Sequence, residues 1–201
     1  MSMDTGTQAQ EPETFEFTPD VRALADQHIA KYPEGKQASA VMPLLDLAQR
    51  QMGGWLPQAA IRHVGDILDM PVIRVLEVAT FYTMYNLKPV GKHFIEVCTT
   101  TPCWLRGSDD VLGACKKNLG IEAGETTEDG EFTLVEVECQ GACVNAPMVK
   151  IGDDYYEDLD ADSMNAILDA LKAGDEIAPG PQVDRQLSAP MGGPTTLKEI
   201  A

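Results

Sequence analysis

A chain of 201 residues and 21.8 kDa has room for one ordinary domain or two small ones, and 44% hydrophobic with 23% charged residues is a globular composition. No run approaches the roughly 18–20 apolar residues of a membrane-spanning helix, and the acidic start, Met1 to Phe17, lacks the pattern of an export or targeting peptide. The formal net charge is −17, with 7 basic against 11 acidic side chains in residues 1–90 and 8 against 21 in residues 91–201, which disfavours nucleic acid and anionic lipid as partners of an intracellular protein.

Residues 1–17 read as a flexible acidic tail, poor in apolar side chains. From Thr18 a helical period sets in: Thr18 caps, Pro19 and Asp20 suit a first turn, and Val21, Leu24, Ala25, His28 and Tyr32 recur at three- and four-residue steps. A second helix runs from about Ala38 to Met52 and stops at Gly53-Gly54. Pro57 opens a third, striped by Ile61, Val64 and Leu68. A fourth extends from about Val72 to Tyr85 after the break at Met70-Pro71. Four short helices with Gly/Pro turns predict a helical bundle over 18–86. The layout is similar to a helix-turn-helix, but the acidic charge argues against DNA reading.

Past Lys88-Pro89-Val90-Gly91 the period changes. Phe94 to Val97 predicts a strand leading into Cys98, and Ser108 an N-cap with Asp109 and Asp110 in the first turn. The helix after it carries Val111, Leu112, Cys115 and Leu119 and ends at Gly120. Phe132 to Glu138 alternates as a strand, Pro147 to Ile151 is another, and Tyr155-Tyr156 marks an edge strand. A last helix covers about Asp162 to Lys172. This β-α-β-β-α order over 88–174 predicts a small thioredoxin-like sandwich, so the fold class is α+β. Residues 175–201, rich in Pro and Gly, read as an extended tail that wraps a partner.

The five cysteines all lie in the second half. An odd number in a chain without an export signal points away from a disulfide framework and towards metal or redox chemistry. Four of them form two pairs, Cys98-x4-Cys103 and Cys139-x3-Cys143, each on a loop after a predicted strand. Four thiolates suit an iron–sulfur cluster or structural zinc. The x4 and x3 gaps favour the wider two-iron rhombus over zinc knuckles, and they differ from the x4, x2 spacing of plant-type ferredoxins. No C-x-x-C supports a thiol–disulfide oxidoreductase, and no G-x-G-x-x-G or Walker A loop supplies a nucleotide site. Cys115 reads as a buried small hydrophobe, and His28, His63 and His93 as structural.

Four blocks carry a resemblance beyond spacing: Val78-Ala-Thr-Phe-Tyr82, Pro89-Val-Gly91, Val97-Cys-Thr-Thr-Thr-Pro-Cys-Trp-Leu-Arg-Gly107 and Glu138-Cys-Gln-Gly-Ala-Cys-Val-Asn-Ala-Pro147. Together, over roughly residues 15–175, they resemble the thioredoxin-like 2Fe–2S ferredoxin subunits of respiratory complex I. These are the E-type subunits of bacterial NADH–quinone oxidoreductase and the mitochondrial flavoprotein 2. The resemblance implies one 2Fe–2S cluster on Cys98, Cys103, Cys139 and Cys143, and no catalytic residue. It also implies a partner that binds FMN and NADH, a place in the hydrophilic arm, and a cytoplasmic position peripheral to the inner face of the cell membrane. Diaphorase subunits of NAD-linked hydrogenases and formate dehydrogenases share these motifs, and a zinc-holding assembly module is the alternative of a different class. An oxidised cluster with four thiolates is doubly negative, so adding an electron within the acidic second half is opposed unless N–H groups at Thr99 to Thr101 and Gln140 to Ala142 compensate. Trp104 and Met148 are candidates to shield it from water. The helical half and the C-terminal tail are expected to grip the flavin-bearing partner.

Overall fold

A computed structural model describes residues 11–193 and residue 196, and the chain divides into two compact units, Met1–Lys92 and His93–Ala201. Among the described residues no helix is long and apolar enough to cross a membrane.

The first unit is helical: α1 (Pro19–Ile29), α2 (Val41–Gln51) behind a 3-10 turn at Gln37–Ala40, α3 (Gln58–Leu68) and α4 (Val72–Phe81). Apolar residues at three- and four-residue spacing bury one face of each of the middle helices. On α2 these are Val41, Leu44, Leu45 and Ala48; on α3 they are Ile61, Val64 and Leu68. The fourth helix stops four residues before its predicted end, because tertiary contacts claim the next stretch of chain. Tyr85 is buried and its hydroxyl donates to Met42 O at 2.9 Å, while Asn86 N–H donates to Gln49 Oε1 at 2.7 Å. α4 buries Val75 and Ala79, while Ile73 and Phe81 on it and Tyr82 and Met84 just after it are exposed.

Residues 1–10 of the expected tail lie outside the described residues. The expectation fails over 11–17, where two aromatic side chains give the segment something to bury. Phe15 and Phe17 pack edge-on against His63, with ring centroids 5.4 and 5.2 Å away, and Phe17 N–H donates to His63 Nε2. Gln51 Nε2 donates to Glu16 O at 2.8 Å.

The second unit holds a five-stranded sheet in the order β2-β1-β3-β4-β5, built from β1 (His93–Cys98), β2 (Phe132–Val137), β3 (Met148–Ile151), β4 (Asp154–Glu157) and β5 (Gly180–Pro181). β1 is parallel to β2 and antiparallel to β3; β3 and β4 are antiparallel, and β4 and β5 parallel. Three helices complete it: α5 (Thr101–Leu105), α6 (Ser108–Leu119) and α7 (Ala161–Ala173). The core joins Ile95, Val97, Leu134 and Val149 of the strands to Val111 and Cys115 of α6 and Met164 and Leu168 of α7. A capping box starts α7, with Ser163 N–H donating to Asp160 Oδ1 at 2.8 Å and Asp160 N–H to Ser163 Oγ at 2.9 Å. Glu96 and Lys150, directly opposite in register, form a cross-strand ion pair.

Three expectations change here. Tyr155-Tyr156 is not at an edge, because β5 pairs beyond it. Between β1 and α6 lies α5, a five-residue helix too short to leave a period in the sequence. Ser108 is the first residue of α6 rather than its cap; Gly107 takes the cap position at φ 103°, where L residues are strained, and Ser108 is fully buried with an unpartnered hydroxyl.

An N-cap serine replaced by alanine loses about 1 kcal/mol. A buried, unpartnered hydroxyl instead carries a desolvation cost that alanine removes. Ser108→Ala is therefore expected to leave the denaturant midpoint unchanged or raise it. Burial also holds the His63 imidazole below its usual range, against the pull of Glu16. The folded state then takes up a proton less readily than the unfolded chain. Its stability is complete above the unfolded value, near 6.5, and is lost as pH falls through the lower folded value. Thermal melts from pH 7 to 5 should fall more steeply for the native chain than for His63→Gln.

Candidate metal centre

The parallel pairing of β1 with β2 sets Cys98 opposite Val137, so both strands deliver their chains to the same end of the sheet. Cys98 is the last residue of β1, and Cys103 sits on α5, which Pro102 helps to start. Cys139 follows β2 by two residues, and Cys143 opens a 3-10 turn, Cys143–Asn145, before β3. Thus Cys103 and Cys143 lie on short helical turns rather than open loops.

The sulfurs gather as two pairs. Cys139 Sγ and Cys143 Sγ are 3.4 Å apart, and Cys98 and Cys103 lie in one small buried cluster. Electrostatic coupling links the pairs, Cys98 with Cys139 and Cys103 with Cys143. Among the described residues, no three His, Cys, Asp or Glu side chains are set around a single metal ion; the loops assemble two thiol pairs. Cys115 is not among them. It is fully buried in the core of the second unit, and that burial pushes its thiol up to about 12.

Backbone and hydroxyl donors point at the sulfurs. Gly141 N–H donates to Cys139 Sγ at 3.4 Å, and Thr100 Oγ1 lies 3.3 Å from Cys98 Sγ. Gly141 has φ 84°, a conformation that glycine adopts without strain and that aims its N–H back at the sulfur. Burial opposes ionisation of Cys98, but hydrogen bonds from the Thr100 side chain and backbone, from Cys103 and from Gln140 N–H outweigh it and hold the thiol below its usual range. For Cys103 burial dominates and pushes it to about 12, against Met148 N–H. Cys139 is held low by Gly141 N–H, and Cys143 is pushed up by its bond to Cys139. Each pair therefore joins one thiol held below its usual range to one pushed above it.

Burial divides the centre. Cys98 and Cys103 are 1% exposed and pack with Ala146 and Met148, whereas Cys139 and Cys143 are exposed. Met148 occupies the shielding position expected of it. Trp104 does not: it is 56% exposed, and its indole N–H donates to Asp109 Oδ2 at 3.1 Å. Sequence reasoning found donors at Thr100, Gln140 and Gly141 but missed Met148 N–H, which reaches Cys103 only because β3 starts beside α5.

It also missed the C-terminal segment. Gly180 and Pro181 pair with Tyr156 and Glu157, and Arg185 bridges Asp158 and Val144 O. The expected partner-wrapping tail therefore folds back onto its own unit over at least residues 180–187, because a backbone edge and a buried carboxylate are there to receive it. Residues 194, 195 and 197–201 lie outside the described residues.

A four-thiol donor set with convergent N–H donors fits an iron–sulfur cluster. The family described as thioredoxin-like 2Fe–2S ferredoxins matches residues 25–172. The E subunit of the NADH-quinone oxidoreductase of Rickettsia bellii (strain RML369-C) is 60% identical over 158 residues, 79% of this chain and 95% of that protein. The E 1 subunit of the NADH-quinone oxidoreductase of Rhizobium meliloti (strain 1021) is 51% identical over 191 residues, 94% of this chain and 69% of that protein. A NAD+-reducing NiFe-hydrogenase in its H2-reduced state shares the fold, with a TM-score of 0.58 at 20% identity, over 67% of this chain and 23% of the hydrogenase chain. The matching profile, the identity across most of the length and the paired cysteine loops lead to one assignment: this chain belongs to the thioredoxin-like 2Fe–2S ferredoxin family.

Proposed function

We propose that this chain is the electron-transfer subunit of an NADH–quinone oxidoreductase and that Cys98, Cys103, Cys139 and Cys143 hold one 2Fe–2S cluster. The observation that carries this reading is the convergence of four thiols from two chain segments at one end of a parallel strand pair. The chain's identity to the E subunits of such enzymes supports it. When bound, the cluster would supply one-electron exchange.

The protein's own residues do the rest. The four thiolates bind the irons; Gly141, Gln140, Thr100 and Met148 donate N–H groups that offset negative charge on the sulfurs. Met148 and Ala146 exclude water from the buried pair, and the Cys139–Cys143 side faces outward, where a partner's cofactor has access. FMN and NADH belong on that partner, since this chain has no nucleotide motif. The protein takes part in an enzyme only through the assembly, which sits on the cytoplasmic face of the membrane with this chain peripheral to it. The bare apolar side chains of α4 and the turn after it, Ile73, Phe81, Tyr82 and Met84, suit a contact with the flavin-bearing partner.

Purified full-length protein, reconstituted without air, should contain two irons and two sulfides per chain, absorb visible light and give an EPR signal on reduction. A colourless chain holding one zinc would sink the proposal. Alanine at any one of Cys98, Cys103, Cys139 or Cys143 should abolish or destabilise the cluster, since both irons require four ligands. Cys115→Ala should retain it at a stability cost of about 1 kcal/mol. In the metal-free protein, iodoacetamide should label Cys139 and Cys143 at once but Cys115 only on unfolding. The docking reading is tested separately: Phe81→Glu should keep the cluster and lose co-purification with the flavin-bearing partner.

A further inference from the structure

The stretch from Glu138 to Pro147 carries two of the four thiols, yet its only regular structure is the 3-10 turn at Cys143–Asn145. Something else must fix its shape. Tyr155 of β4 anchors one end, its hydroxyl donating to Gln140 O at 2.9 Å. At the other end Asn145, 1% exposed, donates through Nδ2 to Asp158 Oδ2 at 3.2 Å and to Leu187 O at 3.1 Å, and its own carbonyl accepts from Asp158 N–H at 2.7 Å. Between them Val144 has no side-chain anchor, being 70% exposed. Its carbonyl, one residue past Cys143, accepts from Arg185 Nη2 at 3.2 Å.

Arg185 comes from the C-terminal segment that β5 ties down. Its Nε lies 3.3 Å from Asp158 Oδ2 and donates to Leu187 O at 3.0 Å. The Arg185 and Asp158 side chains are only 8% and 7% exposed. Ion pairs buried to this degree contribute little net stability, because desolvation cancels most of the attraction, but they fix geometry, and losing one partner strands the other. Asp158 and Leu187 are, moreover, two of the three non-glycine residues with left-handed backbone among the described residues, at φ 55° and 49°. That is a conformation held by surrounding contacts.

We propose that Arg185 is a positioning residue for the metal centre: with Asp158 and Asn145 it clamps the Cys139–Cys143 loop in its ligand-binding shape. The clamp rests on the cluster assignment above only for its purpose, since its geometry is a property of the chain itself.

The test uses full-length Arg185→Gln, Arg185→Lys and Asp158→Asn, with exposed Asp184→Asn as control. In the metal-free protein, hydrogen exchange of the Gln140–Ala146 amides should quicken about tenfold in Arg185→Gln and Asp158→Asn. Exchange should stay unchanged in the α3 amides and in the control, and Arg185→Lys should recover part of the protection. In reconstituted protein the same two variants should show a broadened or shifted EPR signal and faster bleaching by a chelator. Unchanged exchange and EPR in Arg185→Gln overturns the clamp. So does exchange that quickens equally throughout the His93–Ala201 unit, which marks a merely structural residue. If native protein binds no iron and sulfide, the functional reading fails, while the exchange measurement still decides the clamp.

Discussion

Everything at the metal centre depends on the direction in which β2 runs beside β1. Each strand has six residues, about 20 Å of extended chain. Paired antiparallel, they would release the chain after Cys98 and the chain leading to Cys139 at opposite ends of the sheet, too far apart for one small cluster. Parallel pairing, with Cys98 opposite Val137, releases both at the same end. The connection through α5 and α6 is what parallel pairing demands, since a tight hairpin cannot join parallel strands. The first thiol pair thus comes from the start of that crossover and the second from the exit of the strand it leads to.

Electrostatics then has to accommodate an anionic centre in a strongly acidic half-chain. Local dipoles supply the counterweight. The N–H groups aim at individual sulfurs, whereas Arg185 and Arg106 grip carbonyls along the second loop, Val144 O and Ala146 O. Those bonds hold the backbone of the second loop and leave Cys139 and Cys143 exposed.

The sequence was most legible where one kind of physics dominated. The apolar stripe of α3 acts locally, so it leaves a periodic mark that survives without a structure. The gathering of the cysteines in two pairs was legible for a simple reason: short gaps after predicted strands leave each pair little room to separate. What stayed hidden depends on contacts between distant segments. The early end of α4 follows from Tyr85 reaching Met42, forty-three residues away. Phe15 and Phe17 give anchors to a stretch whose composition is otherwise that of a tail. Arg185 looked like one cation in a Pro- and Gly-rich end until the fold set it against Asp158.

The two-residue strand β5 has an effect of its own on the sheet. Without it, β4 would present an unpaired backbone row to solvent, an invitation to pair with another chain. β5 covers part of that row, and its second residue, Pro181, has no N–H to offer a further strand. The sheet is therefore blunted by the chain's own C-terminal segment. On that side of the sheet the chain carries its own guard against edge-to-edge self-association.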